Sequence, residues 1–225
     1  GTTVPTVYAV HGFHFVHKPI GIRWLATFIE GFIISRANRI IFESEYDANL
    51  ARACKIFPEN KPATIIHNGI QLRKIPEGHT TPVKHVGFIG RLEYQKDPFL
   101  FLDALEHLPD YAATMVGGGN LESAVKQEIT HRDFGKRVRQ LGTLSHQQSL
   151  EILSTFDVLL LTSRWEGLPL VVLEAMWAGV PVVAVNVSAL SEIIEHKKNG
   201  LLIDGRSGQA LAWAVRVAVE NHELR

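Results

Sequence analysis

The chain has little cysteine, no net charge and no long apolar run, and each absence excludes a class of protein. Cys54 is its one cysteine, so an internal disulfide is excluded and a reducing compartment is favoured. Lysine plus arginine and aspartate plus glutamate both number 23, so no overall charge recruits nucleic acid. The longest apolar stretch, residues 24–34, includes Glu30 and is too short to span a bilayer. No secretory signal pattern is visible, so we expect a cytoplasmic protein.

Short apolar runs alternate with helical patterns along the chain. Hydrophobic residues make up 46% of the 225 positions, which is enough for a sizeable core. The alternation predicts parallel sheets joined by right-handed helical crossovers, hence an α/β fold of the doubly wound type. The predicted strands cover residues 4–10, 39–42, 63–66, 83–89, 112–116, 138–141, 157–161, 180–185 and 201–203.

Helix starts are marked by side chains that can accept a hydrogen bond from the first unpaired amides of a helix. The capping signals are Ser44 with Asp47, Asp97 with Pro98, and Ser145 with Gln148. They predict a helix over 45–56, a second from residue 97 onward and a third that ends at Ser154. Further helices are expected near residue 121, over 191–195 and from Ser207.

A stretch without periodicity, residues 71–82, divides the chain. It contains Pro76, Gly78 and Pro82, which is typical of an interdomain linker. We therefore expect one domain over residues 1–70 and another over residues 83–225.

An aromatic and apolar segment, residues 22–35, lies between the first two strands. Its large apolar side chains are Trp24, Leu25, Phe28, Ile29, Phe32, Ile33 and Ile34, and the cations around it are Lys18, Arg23, Arg36 and Arg39. We interpret the segment as a core helix. The alternative is a helix that docks on a membrane surface.

The strongest pattern is residues 163–179, which lie between two buried strands. Pro169 suits the first helical position, and Gly179 suits the left-handed residue just past the helix end. The helix therefore begins at the carboxyl end of a strand, with the amides of Leu170 and Val171 facing the crevice. Such a helix start is a seat for a phosphate group.

Two carboxylates belong to this pattern, Glu166 in the loop and Glu174 in the helix. A glutamate in either position is commonly solvated or paired with a nearby cation. Glu174, however, lies among apolar residues and has no lysine or arginine at helical pairing distance. A carboxylate in such surroundings needs a partner, and ligand hydroxyls would serve.

Three segments should meet at one edge of the sheet, namely residues 90–96, 117–120 and 163–171, because each follows a predicted strand. Arg91 offers a bidentate fork for diphosphate oxygens, and Lys96 adds a point charge. The glycines at 117–119 allow the backbone to approach a ligand closely. Each signal is weak by itself, and together they indicate a sugar-nucleotide site.

Three histidines, His11, His14 and His17, follow the first strand at a spacing of three. They suggest a metal site, but Gly12 and Pro19 break the helix that would align them, and no neighbouring cysteine or carboxylate completes a ligand set. We expect no metal. His11 alone is the candidate, as a residue at the carboxyl end of a strand.

These motifs resemble the retaining glycosyltransferases of GT-B fold, family 4. The matching residues are Gly90-Arg91-Leu92 with Lys96, Gly142 with Leu144, and Glu166-Gly167-Leu168-Pro169 with Glu174-Ala175-Met176 and Gly179. Residues 11–15, His-Gly-Phe-His-Phe, are similar to members that assemble bacterial capsule or exopolysaccharide. The resemblance implies that 83–225 is a complete Rossmann-like donor domain. It also implies that 1–70 is the latter part of the acceptor-side domain, so that the chain is N-terminally truncated.

The resemblance further implies a reaction. A hexosyl group would pass from a UDP- or GDP-sugar to a glycan or lipid-linked acceptor, with retention, in surface polysaccharide synthesis, without a metal and with possible contact to the inner membrane face. The catalytic residues would be Glu166, Arg91, Lys96 and His11. The donor-binding residues would be Gly90, Arg91, Lys96, Gly117, Gly142, Leu144, Glu166, Gly167, Leu168, Pro169, Leu170, Val171 and Glu174, and Glu174 would bind the ribose hydroxyls.

Other functions stay open at this point. The chain could be a non-catalytic module that binds sugar nucleotides, or a GT-B epimerase or hydrolase. A dinucleotide-dependent dehydrogenase is disfavoured, because neither the Gly90 loop nor the Gly117 loop has three correctly spaced glycines. The sequence also departs from the family at Ser188-Ala189-Leu190, where a glycine pair is usual, and at Gly118, where an acidic residue is common.

Overall fold

A computed structural model describes residues 4–17, 19–58, 61–72 and 84–221, apart from the side chains of His14 and His17. The chain divides into two compact units. The first comprises residues 1–69 with 166–168 and 188–193, and the second comprises 70–165, 169–187 and 194–225. From residue 73 onward the predicted linker lies outside the described residues, as does Lys18.

The first unit is built on a parallel three-stranded sheet of order β1-β2-β3. Its elements are β1 (Val7–Val10), α1 (Ile20–Arg36), β2 (Arg39–Phe42), α2 (Glu45–Ala53) and β3 (Ala63–Ile65), with a 3₁₀ turn at His14–His17. Three predictions were too long, since the first strand starts at residue 7 rather than 4, the third strand ends at 65 rather than 66, and α2 ends at 53 rather than 56. The predicted cap is confirmed, because the Ser44 side chain accepts a hydrogen bond from the Asp47 amide.

The prediction of a core helix over 22–35 is wrong. A helix does form, but of its large apolar side chains only Ile34 is buried, while Trp24, Phe28 and Phe32 are more than half exposed. The side that α1 turns toward the sheet carries smaller or polar residues such as Ala26, Thr27 and Gly31. Within the described ranges, no helix combines the length and apolarity needed to cross a membrane.

The second unit is a parallel six-stranded sheet of order β6-β5-β4-β7-β8-β9. Its strands are β4 (His85–Ile89), β5 (Ala112–Val116), β6 (Val138–Gln140), β7 (Val158–Leu161), β8 (Val182–Val185) and β9 (Leu201–Ile203). Its helices are α3 (Pro98–Glu106), α4 (Glu122–His131), α5 (His146–Leu153), α6 (Leu170–Trp177) and α7 (Gly208–Glu220). Counted along the unit, the strand order is 3-2-1-4-5-6, so the predicted doubly wound fold is confirmed.

The helices of this unit begin where the capping signals predicted. Ser145 and Gln148 form a reciprocal capping box, and Ser207 caps α7. Two details differ from prediction: Pro169 is the cap of α6 rather than its first residue, and the short helix after β8 is a 3₁₀ turn at Ser188–Glu192 rather than a helix over 191–195. Strands β7 and β8 are buried along their whole length, as their unbroken apolar sequences required.

His85, the first residue of β4, should make the stability of the second unit depend on pH. Its ring packs edge-on against Phe156, and its Nε2 lies 2.9 Å from Thr114 Oγ1. Burial lowers the pKa of His85 below its ordinary value near 6.5, and Asp157 opposes this shift only in part.

We expect this pKa shift to make stability depend on acid. The unfolded chain binds the His85 proton more tightly, so the free energy of unfolding should be constant above pH 6.5 and should fall as the pH drops below that value. Urea unfolding from pH 5 to 8 should show a smaller acid loss in His85→Gln than in the original chain. If the free energy of unfolding falls with pH by the same amount in both proteins, His85 is not the cause of the acid loss.

Candidate functional site

The site is built at the place where the strand order of the second sheet reverses. β4 and β7 are neighbours there, and their helices leave in opposite directions along the sheet, which opens a crevice at the carboxyl ends of the strands. The loop after β4 begins at Gly90, and the loop after β7 begins at Thr162. Two of the three predicted ligand-binding segments therefore lie at this edge of the sheet.

The loop after β4 carries the two cations singled out in the sequence. The Arg91 guanidinium is largely exposed, and it lies 3.0 Å from a Glu93 carboxylate oxygen and 3.1 Å from Gln95 Oε1. The side chain of Lys96 runs beside Gly90, where a Cβ would come within 3.4 Å of its methylene groups. Arg91 thus has neighbours that orient it while its charge still faces solvent.

Four hydrogen bonds tie this loop to the loop after β7. The Thr162 hydroxyl donates to the carbonyls of Lys96 and Asp97, both at 2.9 Å. The Arg164 amide donates to the Gln95 carbonyl at 2.7 Å, and the Gln95 side-chain amide donates to the Trp165 carbonyl at 3.1 Å. The position of Lys96 is therefore linked to the backbone that precedes Glu166.

A buried ion cluster lies directly beneath these bonds. Asp97 is 6% exposed, and its Oδ2 lies 2.6 Å from Arg164 and 2.5 Å from Arg206. Arg206 also donates to the carbonyls of Thr162 and Ser163. Sequence reasoning recognised Asp97 only as a helix cap, because nothing in the sequence connects it to Arg206, which lies far along the chain after β9.

The glycines at 117 and 119 have a packing role that the sequence did not reveal. Gly117 has φ 132°, and a Cβ there would lie 1.9 Å from the Gly90 carbonyl oxygen. A Cβ at Gly119 would lie 2.5 Å from the Leu92 carbonyl oxygen. These glycines therefore let the loop after β5 pack closely against the loop after β4, and their predicted approach to a ligand stays a prediction. The Gly142 carbonyl accepts from the Gly117 amide at 2.8 Å, which adds the loop after β6 to the same edge.

The helix after β7 begins at this edge, as predicted. Leu170 and Val171 form its first turn, and Gly179 ends it with φ 68°. The Glu174 carboxylate is largely buried and lies 2.8 Å from His146 Nε2, at the start of α5. The partner that this glutamate required is thus a histidine from another helix, which sequence reasoning missed.

His11 and Glu166 lie in the first unit. His11 Nδ1 contacts the buried carboxylate of Glu43. Because Val10 and Phe42 are paired in register, His11 and Glu43 each come one residue after matching strand positions. Sequence reasoning missed this pair, because the strand pairing is known only from the structure. A Cβ on Gly167 would lie 3.5 Å from the His11 carbonyl oxygen, so the segment from Glu166 to Leu168 runs beside His11.

Glu166 is 7% exposed, and its amide donates to Ser188 Oγ at 3.3 Å. Ser188 has φ 51°, in the region that favours glycine. The glycine that the resemblance leads one to expect at this place would fit that backbone shape. In this chain Ser188 adopts the left-handed conformation, and its hydroxyl accepts the hydrogen bond from the Glu166 amide.

No group of three or more potential metal ligands occurs among the described side chains, which do not include His14 and His17. The expectation of a metal-free site therefore stays a prediction. The ligand roles assigned to the individual residues also stay predictions.

Comparison with known proteins adds evidence independent of this geometry. The family model described as "Glycosyl transferases group 1" matches residues 72–225, which is more than half of the chain.

Two curated relatives cover most of the chain. One is the UDP-Gal:alpha-D-GlcNAc-diphosphoundecaprenol alpha-1,3-galactosyltransferase of Escherichia coli. It is 28% identical over an alignment of 218 residues, and the match covers 88% of this chain and 56% of that protein. Another is the lipopolysaccharide core biosynthesis mannosyltransferase LpsB of Rhizobium meliloti, 32% identical over 182 residues, 71% of this chain and 51% of that protein. The chain spans about half the length of the curated relatives it matches.

A solved structure shows the same fold. Anabaena Alr3699/HepE, crystallised with UDP and glucose, superposes with a TM-score of 0.80 at 23% identity and covers 96% of this chain and 62% of that one. At this identity the likeness concerns the fold alone, and it confirms the predicted GT-B architecture.

Proposed function

This chain belongs to the glycosyl transferases of group 1, and from that premise we propose that it moves a hexosyl group from a nucleoside-diphosphate sugar to an acceptor. The acceptor is a glycan or a lipid-linked sugar in bacterial surface polysaccharide synthesis, and the anomeric configuration is retained. The proposed location is cytoplasmic, at the inner membrane face. The names of the relatives support this class of donor and acceptor, since one is named for UDP-galactose and a diphosphoundecaprenol-linked acceptor.

The observation that carries the proposal is the pair of linked loops at the strand-order reversal. Arg91 presents an exposed fork, and Lys96 lies beside Gly90 in the same loop, where its carbonyl accepts a hydrogen bond from the Thr162 hydroxyl. α6 directs its N-terminus to the same edge of the sheet. Two cations and a helix start provide three sources of positive potential, which suit a diphosphate without a metal.

We propose a front-face displacement for the reaction. The bond from the anomeric carbon to the diphosphate oxygen breaks as the acceptor oxygen attacks from the same side. The leaving diphosphate takes the electron pair, and its freed oxygen accepts the proton of the attacking hydroxyl. Arg91, Lys96 and the amides of Leu170 and Val171 stabilise that developing negative charge. The role proposed for Glu166 is binding of the donor sugar, and His11, whose ring contacts Glu43, is proposed as a further catalytic residue.

Glu174 provides the sharpest test of the donor site. We propose that it accepts hydrogen bonds from the ribose hydroxyls while His146 holds its other oxygen in place. Glu174→Ala should weaken diphosphate binding by about 1.5–3 kcal/mol, the range for hydrogen bonds to charged groups. Ligand-observed NMR with UDP, GDP and ADP would measure this change and would also identify the base.

A matched control is Glu151→Ala, which removes an exposed carboxylate from the neighbouring α5. It should leave affinity unchanged, and Arg91→Ala should reduce it. Equal affinity in Glu174→Ala and Glu151→Ala would contradict the ribose assignment. Free sugar released without an acceptor would favour a hydrolase, and an epimerised sugar nucleotide would favour an epimerase.

A further inference from the structure

Glu192, the last residue of the 3₁₀ turn Ser188–Glu192, holds the start of α2 with both oxygens of its carboxylate. Oε2 accepts a hydrogen bond from the Glu45 amide at 2.9 Å, and Oε1 accepts one from the Tyr46 amide at 2.7 Å. These amides belong to the first two residues of the helix, which have no partner within it. Both segments belong to the first unit, so Glu192 attaches the turn to a helix of that unit.

This contact completes the cap of α2. Ser44 Oγ accepts a hydrogen bond from the Asp47 amide at 3.0 Å, so Ser44 and Glu192 together satisfy the first three amides of the helix. A carboxylate at a helix start is favoured by the helix dipole, and hydrogen bonds to an ionised acceptor are the stronger kind. The Glu192 side chain is only 17% exposed. The place of the turn on α2 is therefore well defined.

The same carboxylate has an electrostatic cost. Asp47 is buried, which raises its pKa above the ordinary value, and the nearby charges of Glu43 and Glu192 act in the same direction. This repulsion offsets part of the stability that the cap provides. Stability alone is therefore a weak reason for a carboxylate at residue 192, and the segment that it holds deserves a functional explanation.

The residues that follow β3 hold two segments of the first unit. His67 Nε2 lies 3.3 Å from Glu192 Oε2, and the side-chain amide of Asn68 donates to the Leu168 carbonyl at 3.1 Å. Consecutive residues thus contact the turn that ends at Glu192 and the segment that ends at Leu168. The two segments are placed by one common support.

A direct bond joins the same two segments. The hydroxyl of Ser188, at the first position of the 3₁₀ turn, accepts a hydrogen bond from the Glu166 amide at 3.3 Å. Ser188 and Glu192 are the ends of one short turn, so fixing one end restricts where the other can lie. Glu192 therefore controls the place of Ser188, and Ser188 controls the place of the Glu166 backbone.

We propose that Glu192 is a positioning residue for recognition of the donor sugar. Its carboxylate fixes the turn on α2, and the turn places Glu166. The inference rests on the proposed function, in which Glu166 binds the donor sugar and Arg91 binds the diphosphate. Loss of Glu192 should consequently weaken binding of the sugar part of the donor and leave binding of the diphosphate part unchanged.

Ligand-observed NMR on the chain tests this separation, with UDP, UDP-glucose and UDP-galactose as probes. The measured quantity is the affinity of the better UDP-sugar divided by that of UDP. Glu166→Ala and Glu192→Ala should each lower this ratio about fivefold or more, which corresponds to the loss of one ordinary hydrogen bond. UDP affinity itself should change less than about twofold. The double variant should lose no more than Glu166→Ala alone, because Glu192 acts through Glu166.

Glu192→Gln examines the need for both oxygens. Glutamine keeps one acceptor but directs its NH₂ group at the second amide, so it should behave like Glu192→Ala rather than like the original chain. The matched control is Glu195→Ala, which removes a carboxylate three residues further on that is 65% exposed and pairs with Lys198. It should leave the ratio unchanged. Circular dichroism would verify that each variant is folded.

A second measurement needs no ligand. In ¹⁵N spectra of the chain without nucleotide, Glu192→Ala should shift the resonance of the Glu166 amide, and Glu195→Ala should not. An unshifted Glu166 amide in Glu192→Ala would overturn the proposal, whatever the donor is. An equal loss of UDP and UDP-sugar affinity would also overturn it, since a general structural defect produces that result.

Failure of the inference is distinguishable from failure of the proposed function. If Glu166→Ala lowers the ratio and Glu192→Ala does not, the positioning role of Glu192 is wrong and the donor site stands. If Glu166→Ala leaves the ratio unchanged, the sugar-binding role of Glu166 is wrong, and the role of Glu192 in donor recognition is wrong with it.

Discussion

Replacing Gly117 by alanine is expected to destabilise the second unit by about 3–5 kcal/mol. The added methyl would lie 1.9 Å from the Gly90 carbonyl oxygen, and the backbone has φ 132°, which L-residues rarely adopt. Overpacking against backbone costs about 1–3 kcal/mol, and a strained φ costs a similar amount. Because the only relief is a shift of Gly90, the substitution should also displace Arg91 and lower UDP affinity. Urea unfolding and ligand-observed NMR measure the two effects.

Gly135→Ala is the matched control for this substitution. A Cβ there would meet nothing within 4 Å, and the position has no left-handed φ. Its stability should stay within about 0.5 kcal/mol of the original. If Gly117→Ala and Gly135→Ala unfold at the same urea concentration, the close approach of the two loops is not a constraint on the fold.

Among substitutions that conserve the shape of a side chain, Asp97→Asn is expected to be the most destabilising. It should lower the free energy of unfolding by about 3 kcal/mol. Asparagine keeps an acceptor for the helix cap and tolerates the left-handed backbone at φ 47°. It removes the charge that faces Arg164 and Arg206, whose side chains are only 33% and 28% exposed. Breaking a buried ion pair from one side leaves uncompensated charge, at a typical cost of about 3–5 kcal/mol. The lower end applies here because both arginines retain some contact with water.

Asp103→Asn tests whether burial of the ion pair causes the stability loss expected for Asp97→Asn. Asp103 also pairs with an arginine, Arg132, at 2.7 Å, but its side chain is 47% exposed. Exposed pairs contribute about 0–1 kcal/mol, so this variant should unfold close to the original chain. Similar losses in Asp97→Asn and Asp103→Asn would refute a special role for the buried cluster. Because Asp97 adjoins Lys96, we also expect weaker UDP binding in Asp97→Asn alone.

α1 shows where pattern reasoning reaches its limit. The sequence predicted a helix in this aromatic and apolar segment, as a core helix or as a helix on a membrane surface. It could not say which side faces the sheet, because burial depends on what packs against the helix. Tyr8, Ile56 and Lys61 determine that orientation, and each belongs to a different segment. The same apolar pattern therefore served equally for a core helix and for a surface helix.

The donor site shows the same division. The strand, loop and helix around Pro169 and Gly179 follow from local rules, since caps, glycine conformation and apolar runs act over a few residues. The partners of the side chains do not follow from local rules. Glu174 contacts His146, His11 contacts Glu43, and Asp97 contacts Arg206. These pairs form because strands distant in sequence end at one edge of a sheet.

The sequence by itself determined the alternation of strands and helices, most element boundaries to within a few residues, and the candidate residues Arg91, Lys96, Glu166 and Glu174. Those features depend on interactions between near neighbours in the chain. Tertiary structure alone decided the exposed face of α1, the packing of Gly117 against Gly90, and the ion cluster at Asp97. Each of these depends on contacts between segments far apart in sequence, and such contacts become specific only when the sheet order brings the segments together.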